Sequence, residues 1–249
     1  MDVDATRTVR DLAIEIPNAT RIFERFGIDY CCGGGKPLQD ACRQANIPVD
    51  DVLHSLQGED TASADTALSE HDFKNARLTD LIAHILSRHH GYVKQEIPRL
   101  KQLLVKVVAV HCTGHPELAA VQRTFISLAN ELTAHMLKEE MVLFPYIEKL
   151  EQATGAGKPA PLAPFGSVSN PVHMMELEHE SAGKALEEIR ALTSAYTPPG
   201  SACFSYKTLY SALKEFEADL HEHVHLENNI LFPRAIALEG QGEPWLLLK

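Results

Sequence analysis

Residues 223–233 read HVHLENNILFP. Leu226, Ile230, Leu231 and Phe232 form one apolar helix face, yet His223 and Glu227 lie on the same side, four residues apart. An imidazole and a carboxylate inside an apolar stripe are costly unless something compensates them. The stretch has a near-twin at 135–145, HMLKEEMVLFP, and both fit H-x3-E-x3-L-F-P. A buried polar pair that occurs twice has to be explained by what it holds.

Outward from these two stretches the chain reads as long helices. Four segments are expected, near 75–107, 116–151, 170–195 and 202–237, broken by HCTGHP, by the long ATGAGKPAPLAPFGSVSNP and by YTPPGS. The first carries the stripe Leu86, His90, Val93, Ile97, Leu100, Leu104, and the second Phe125, Leu128, Leu132, His135, Glu139, Val142. The third carries Val172, Met175, His179, Ala182, Leu186, Ile189, and the fourth Phe216, Leu220, His223, Glu227, Ile230. Steps of three and four mark one buried face per helix. Each stripe holds one histidine in phase; His84, His89, His221 and His225 are out of phase. His90 and His135 are 45 residues apart, and His179 and His223 are 44 apart. At about 1.5 Å per residue the members of each pair reach the same depth. Two helical hairpins of one design therefore face each other. The expected fold is all-α, an up-down-up-down four-helix bundle.

A smaller helical unit precedes the bundle. TVRDLA and NATRIFERFG read as short helices, with Asn18 as N-cap and Gly27 closing the second. DYCCGGGKP is a glycine-rich turn leading into the helix PLQDACRQAN, and PVDDVLHSLQ is one more helix. The expected domains are 1–57, a polar linker at 58–74, the bundle at 75–240 and a tail at 241–249.

Composition narrows the function. The chain has 249 residues, is 45% hydrophobic and carries a net charge of -11, which disfavours nucleic acid as partner. No apolar run reaches membrane-spanning length, and no secretory signal is visible at the start. Five cysteines, two of them adjacent, are no disulfide framework, so a reducing, cytoplasmic setting is expected.

One histidine on an apolar face is ordinarily a satisfied core residue. Four in phase at matched depth, with two glutamates one turn further on, are metal ligands. Two ions sharing two bridging carboxylates use six such ligands well. Nitrogen and oxygen donors without thiolate suit iron, with manganese the alternative and zinc less natural. A ferritin-like site would use Glu-x-x-His with more carboxylates; here the order is reversed and histidine is in the majority.

The H-x3-E pairs and their partner histidines resemble a hemerythrin-like domain. DYCCGGGKPLQDAC resembles the N-terminal domain of the Repair of Iron Centres family, of the YtfE/ScdA type. The glycine run has three members where the resemblance predicts two. The resemblance implies a cytoplasmic di-iron protein that restores iron–sulfur clusters damaged by nitric oxide or oxidants. It implies two irons per chain, with an oxo or hydroxo bridge. The implied ligands are His90, His135, Glu139, His179, His223 and Glu227, the set that the stripes mark independently, with Glu139 and Glu227 as bridges. Implied partners are damaged iron–sulfur proteins, with nitric oxide or oxygen as small ligands. Two other functions stay open: nitric oxide reduction at the same site, and oxygen or nitric oxide binding or sensing. Whether the chain is a classical enzyme stays open with them.

Cys31 and Cys32 are expected to act as thiols, in redox chemistry or iron transfer, with the following helix N-terminus favouring thiolate. Cys42 is placed to join them. Cys112 and Cys203 read as incidental, His111 as a loop residue or an access residue, and Glu140 and Glu180 as pointing off the stripe toward solvent or a partner. The competing role for the first domain is packing or homodimerisation.

Overall fold

The computed structural model describes residues 3–16, 18–58 and 73–241. The expected linker and tail lie almost wholly outside them. Among the described residues there is no strand, only an isolated bridge between Thr8 and Pro37.

Four short helices build the first domain: α1 (Val9–Glu15), α2 (Ala19–Phe26), α3 (Leu38–Ala45) and α4 (Val49–Gly58). Val9, Leu12, Ile22, Phe23, Leu38 and Val52 close its core. Thr8 caps α1, its Oγ1 accepting from Asp11 N at 3.1 Å. Gly27 ends α2 at φ 65°, as expected. Asn18 precedes α2 but is itself left-handed, at φ 63°, and its side chain makes no cap bond.

Four long helices follow. Helix α5 comprises Leu78–His84, Ile85–His90 and Gly91–His111, and α6 comprises Glu117–Lys138, Glu139–Leu143 and Phe144–Gly155. Helix α7 is Ser169–Leu192, and α8 comprises Phe204–His225, Leu226–Leu231 and Phe232–Gln241. Carboxylates from neighbouring helices hold two of the N-termini. Glu151 accepts from Leu78 N at 2.6 Å and Thr79 N at 2.9 Å, and Glu239 accepts from Val168 N at 3.0 Å and Ser167 Oγ at 2.6 Å.

The middle segments of α5, α6 and α8 are π-helical. Each carries ligand-type residues: His90 ends the first, Glu139 begins the second, and Glu227 is second in the third. The wider turn shifts the register by about one residue. The stripe expected on α6 therefore slips after Glu139: Val142 is 47% exposed, while Leu143 and Phe144 are buried.

The bundle holds two apolar clusters. Val93, Leu100, Leu104, Phe125, Leu132 and Phe216 are in one. Ile85, Ile147, Val172, Leu226, Leu231 and Phe232 are in the other. Between them along the helices lies a buried polar layer containing His90, His135, Glu139, His179, His223 and Glu227.

The first domain is seated on this bundle. Cys31 packs into the first bundle cluster. Asn229 Nδ2 donates to Tyr30 O at 2.9 Å, and His221 Nδ1 lies 2.6 Å from Glu24 Oε1. His179 of the polar layer is linked to the first domain through Asn228, whose Oδ1 lies 2.8 Å from His179 Nδ1 and whose Nδ2 donates to Cys31 O at 3.3 Å.

Candidate metal centre

Six side chains meet in the polar layer, in two sets. His90, Glu139, His223 and Glu227 offer ligand atoms all within 4.8 Å of one another, and so do His135, Glu139, His179 and Glu227. Both glutamates belong to both sets. His135 Nε2 is 3.3 Å from Glu139 Oε1, and His223 Nε2 is 3.1 Å from Glu227 Oε1, the two i,i+4 pairs. His90 Nε2 is 3.4 Å from Glu139 Oε2, and His179 Nε2 is 3.2 Å from Glu227 Oε2.

Glu139 and Glu227 are completely buried. Both oxygens of Glu139, one of Glu227 and His90 Nε2 have no hydrogen-bond partner among the described residues. Such atoms are expensive to leave unmade in a protein interior, and a cation between the two sets would satisfy them. The donor set fits a metal of the kind bound by imidazole and carboxylate.

Without metal the layer balances its charge with protons. Burial pulls the His90 imidazole down, but Glu139 and Glu227 outweigh it and push it up to about 10. His135 is likewise pushed up to about 9, against its burial, chiefly by Glu139. Burial and mutual repulsion raise Glu139, yet the facing imidazoles hold it below the usual carboxylate range; Glu227 is held well below it, against its burial, chiefly by His223. Burial lowers His223.

An outer ring orients three of the histidines. His90 Nδ1 is 2.7 Å from Glu140 Oε1, and Lys94 Nζ donates to that carboxylate at 2.6 and 2.9 Å. His135 Nδ1 is 2.8 Å from Glu178 Oε2, whose other oxygen accepts from Lys138. His179 Nδ1 is 2.8 Å from Asn228 Oδ1. An acceptor at Nδ1 selects the tautomer that leaves Nε2 free to bind a metal. The Nδ1 atom of His223 is buried with no hydrogen-bond partner among the described residues.

Glu140 thus corrects the reading of it as a solvent- or partner-facing residue: it leaves the stripe in order to hold a stripe residue of another helix. Glu180 is exposed, as expected. Sequence reasoning missed Glu178 and Asn228. Each is adjacent to a stripe residue, but their targets lie across helix boundaries, where periodicity carries no signal.

A model of the hemerythrin HHE cation binding domain matches residues 81–235. The chain belongs to this family. A second model, of the ScdA N-terminal domain, described as a domain of unknown function (DUF542), matches residues 5–60 of this hemerythrin-family chain. Over 232 residues, 93% of the chain and 97% of the relative, it is 35% identical to a probable iron-sulfur cluster repair protein of Haemophilus influenzae. It is 37% identical to the iron-sulfur cluster repair protein YtfE of Yersinia pseudotuberculosis, over 90% of the chain and 94% of the relative. The hemerythrin-type bundle makes this a metal-binding protein, with iron the metal that its family implies.

On this hemerythrin-type bundle the Cys-Cys turn lies over the seam between α7 and α8. Asn228 Nδ2 of α8 donates to Cys31 O at 3.3 Å, and a Cβ at Gly183 of α7 would lie 4.0 Å from Cys32 Sγ. The two sulfurs are 3.8 Å apart and unbonded; Cys31 is buried and Cys32 exposed. Asp29 organises the turn, accepting from the backbone N–H groups of Cys31, Cys32 and Gly33 at 3.0, 2.9 and 2.8 Å. The expectation of a dipole-stabilised thiolate fails for Cys31. The hydrogen bond between its thiol and that of Cys32, its burial and the nearby Asp29 push this thiol well up. The first helical residue after the turn is Leu38, too distant for a dipole effect confined to the first turn of a helix. The three glycines divide by role. A Cβ at Gly33 would meet Asp29 Oδ2 at 2.7 Å, and one at Gly34 would meet Tyr30 O at 2.6 Å, whereas Gly35 has open space. The third glycine is the one that the turn does not require.

Several other sequence readings change. Cys42 is in the first domain's own core and Cys31 in the bundle's. His89 and His225, expected off the buried face, are both completely buried. His89 stacks on His223 with centroids 5.5 Å apart, and its Nδ1 is 3.2 Å from Asp219 Oδ1. His225 packs edge-on against Tyr30 and accepts from Asn229 Nδ2 at 2.8 Å. Helix α8 is covered on two sides, by the bundle and by the first domain, so a single-face periodicity undercounts its buried residues. His111 is no access residue. It ends α5, roughly 30 Å along the axis from His90, with Nε2 3.2 Å from the exposed Cys203 Sγ.

Proposed function

We propose that the chain is a di-iron protein that restores iron–sulfur clusters damaged by nitric oxide or oxidants. His90 and His223 would hold one iron and His135 and His179 the other, with Glu139 and Glu227 available to both. The sharing of both glutamates by the two ligand sets carries this reading. The repair role is supported by the relatives, which are iron-sulfur cluster repair proteins by name and align along nearly their whole length. The bundle and the first domain are the two functional units, at 75–240 and 1–57.

Iron held there supplies redox chemistry and binding of a diatomic ligand such as nitric oxide or oxygen. The protein's own groups set the conditions. Glu140, Glu178 and Asn228 hold imidazoles in the metal-binding tautomer, and two apolar clusters keep bulk water from the layer. Cys31 and Cys32 are the thiol pair for exchange with a damaged protein; the exposed Cys32 makes first contact, and the buried Cys31 lies 3.8 Å behind it.

The test is anaerobic. Iron-loaded protein is mixed with a cluster enzyme inactivated by nitric oxide, and recovered activity and nitrous oxide are followed together. Recovery supports repair. Nitrous oxide without recovery replaces the reading with nitric oxide reduction at the same site.

A further inference from the structure

We infer that Asn228 is a positioning residue that couples the Cys-Cys turn to one of the two metal positions. Uptake of metal at the His135/His179 position tightens the seat of the turn, and the seated turn in return favours that metal. The inference rests on the di-iron reading above.

The chain of contacts is short. Asn228 Oδ1 accepts from His179 Nδ1 at 2.8 Å, and Nδ2 of the same amide donates to Cys31 O at 3.3 Å. An amide suits this place because it accepts at one end and donates at the other. The carboxylates that orient His90 and His135 only accept, and they end on Lys94 and Lys138 of the bundle. Of the oriented histidines, His179 alone is thus held through a group that also holds the first domain. A metal at Nε2 fixes the His179 ring, the fixed ring fixes the amide plane, and the amide presents Nδ2 to the Cys31 carbonyl. Cys32 Sγ would lie 4.0 Å from a Cβ at Gly183 of α7, one turn beyond His179, so the turn sits beside both the helix that carries this ligand and the helix that carries Asn228. Coupling through a shared element is reciprocal.

Two further interdomain bonds lack this property. Asn229 joins Tyr30 O to His225, and His221 joins Glu24; neither touches a member of the metal sets. They seat the domain whether or not metal is bound.

The test is hydrogen exchange of the full chain, metal-free and loaded anaerobically with iron(II). The backbone amides of residues 29–35 are expected to exchange roughly 5- to 10-fold more slowly in the loaded protein, the lower range of ordinary coupling. Asn228→Asp keeps an acceptor for His179 but places an oxygen against the Cys31 carbonyl; it is expected to bind iron and lose the metal-dependent difference. Glu24→Gln is expected to speed exchange in both states and keep the difference. The inference is overturned if wild-type exchange in the turn ignores iron, if Asn228→Asp responds as wild type does, or if Glu24→Gln abolishes the response equally. Iron uptake with an unresponsive turn sinks the coupling alone. Failure to take up iron sinks the di-iron reading, and the coupling with it.

Discussion

The Nε2 atoms of His135 and His179 face each other at 3.0 Å. Each ring has its Nδ1 beside an acceptor, Glu178 for His135 and Asn228 for His179. With both Nδ1 atoms donating, two lone pairs would meet in a buried layer. Only a proton or a cation between them relieves this. Glu139 and Glu227, within 3.3 Å of these nitrogens, supply negative charge for the cation.

Purified protein from iron-replete cells is therefore expected to carry two irons per chain. Because both ligand sets include both carboxylates, Glu139→Ala or Glu227→Ala is expected to lose iron from both positions, not one. Metal analysis decides this; a variant that keeps one full equivalent shows that the lost carboxylate is no bridge.

Loading is expected to release protons. In the metal-free protein His90 and His135 are pushed up to about 10 and about 9, so at neutral pH both carry protons that a metal must displace, roughly two per chain. Calorimetry in buffers of different ionisation enthalpy counts them. Affinity for metal is expected to rise with pH up to about 9–10 and level off above. The same shifts have the opposite consequence for the metal-free fold. A raised histidine stabilises below its unfolded value near 6.5, and the stability is lost as pH rises through the folded value. Metal-free protein is thus expected to melt at lower temperature at pH 10 than at pH 7; the reverse order would refute the imidazolium–carboxylate pairing.

Glu140→Gln and Glu178→Gln test the outer ring. An amide still occupies the space but removes the charge that makes the imidazole a stronger donor. Metal affinity is expected to fall by about 10- to 100-fold, with the helix content unchanged. Glu180→Gln, at an exposed position on α7, is expected to leave affinity unaltered. Competition with a chelator reads all three.

Replacing both Cys31 and Cys32 with Ser is expected to retain two irons and impair cluster recovery, because neither sulfur belongs to either metal set. Iron content, oligomeric state and recovered cluster activity are compared with wild type. Unchanged recovery would make the pair structural, leaving packing or dimerisation as the role of the first domain.

Much of this was legible in residue order. His90, His135, His179 and His223 fall in phase with apolar residues on their own helices, and H-x3-E places Glu139 and Glu227 one turn further on the same face. Helical periodicity is a local property, and it marks the inward face of each helix without any knowledge of its neighbours. Leu143 displaced Val142 because a π-turn depends on what the ligand-bearing segment packs against, and the 3.6-residue period does not reveal it.

By itself, then, the sequence determined an all-α bundle and the six polar residues at its centre, because those choices follow from spacing within single helices. The tertiary structure alone decided the partners of those residues. Glu140 reaches from α6 to His90 on α5, Glu178 from α7 to His135 on α6, and Asn228 from α8 to His179 on α7 and to Cys31 in the first domain. Each is a contact between segments 43 to 197 residues apart. Such contacts are set by how helices dock and rotate against one another, which no single helix's periodicity encodes.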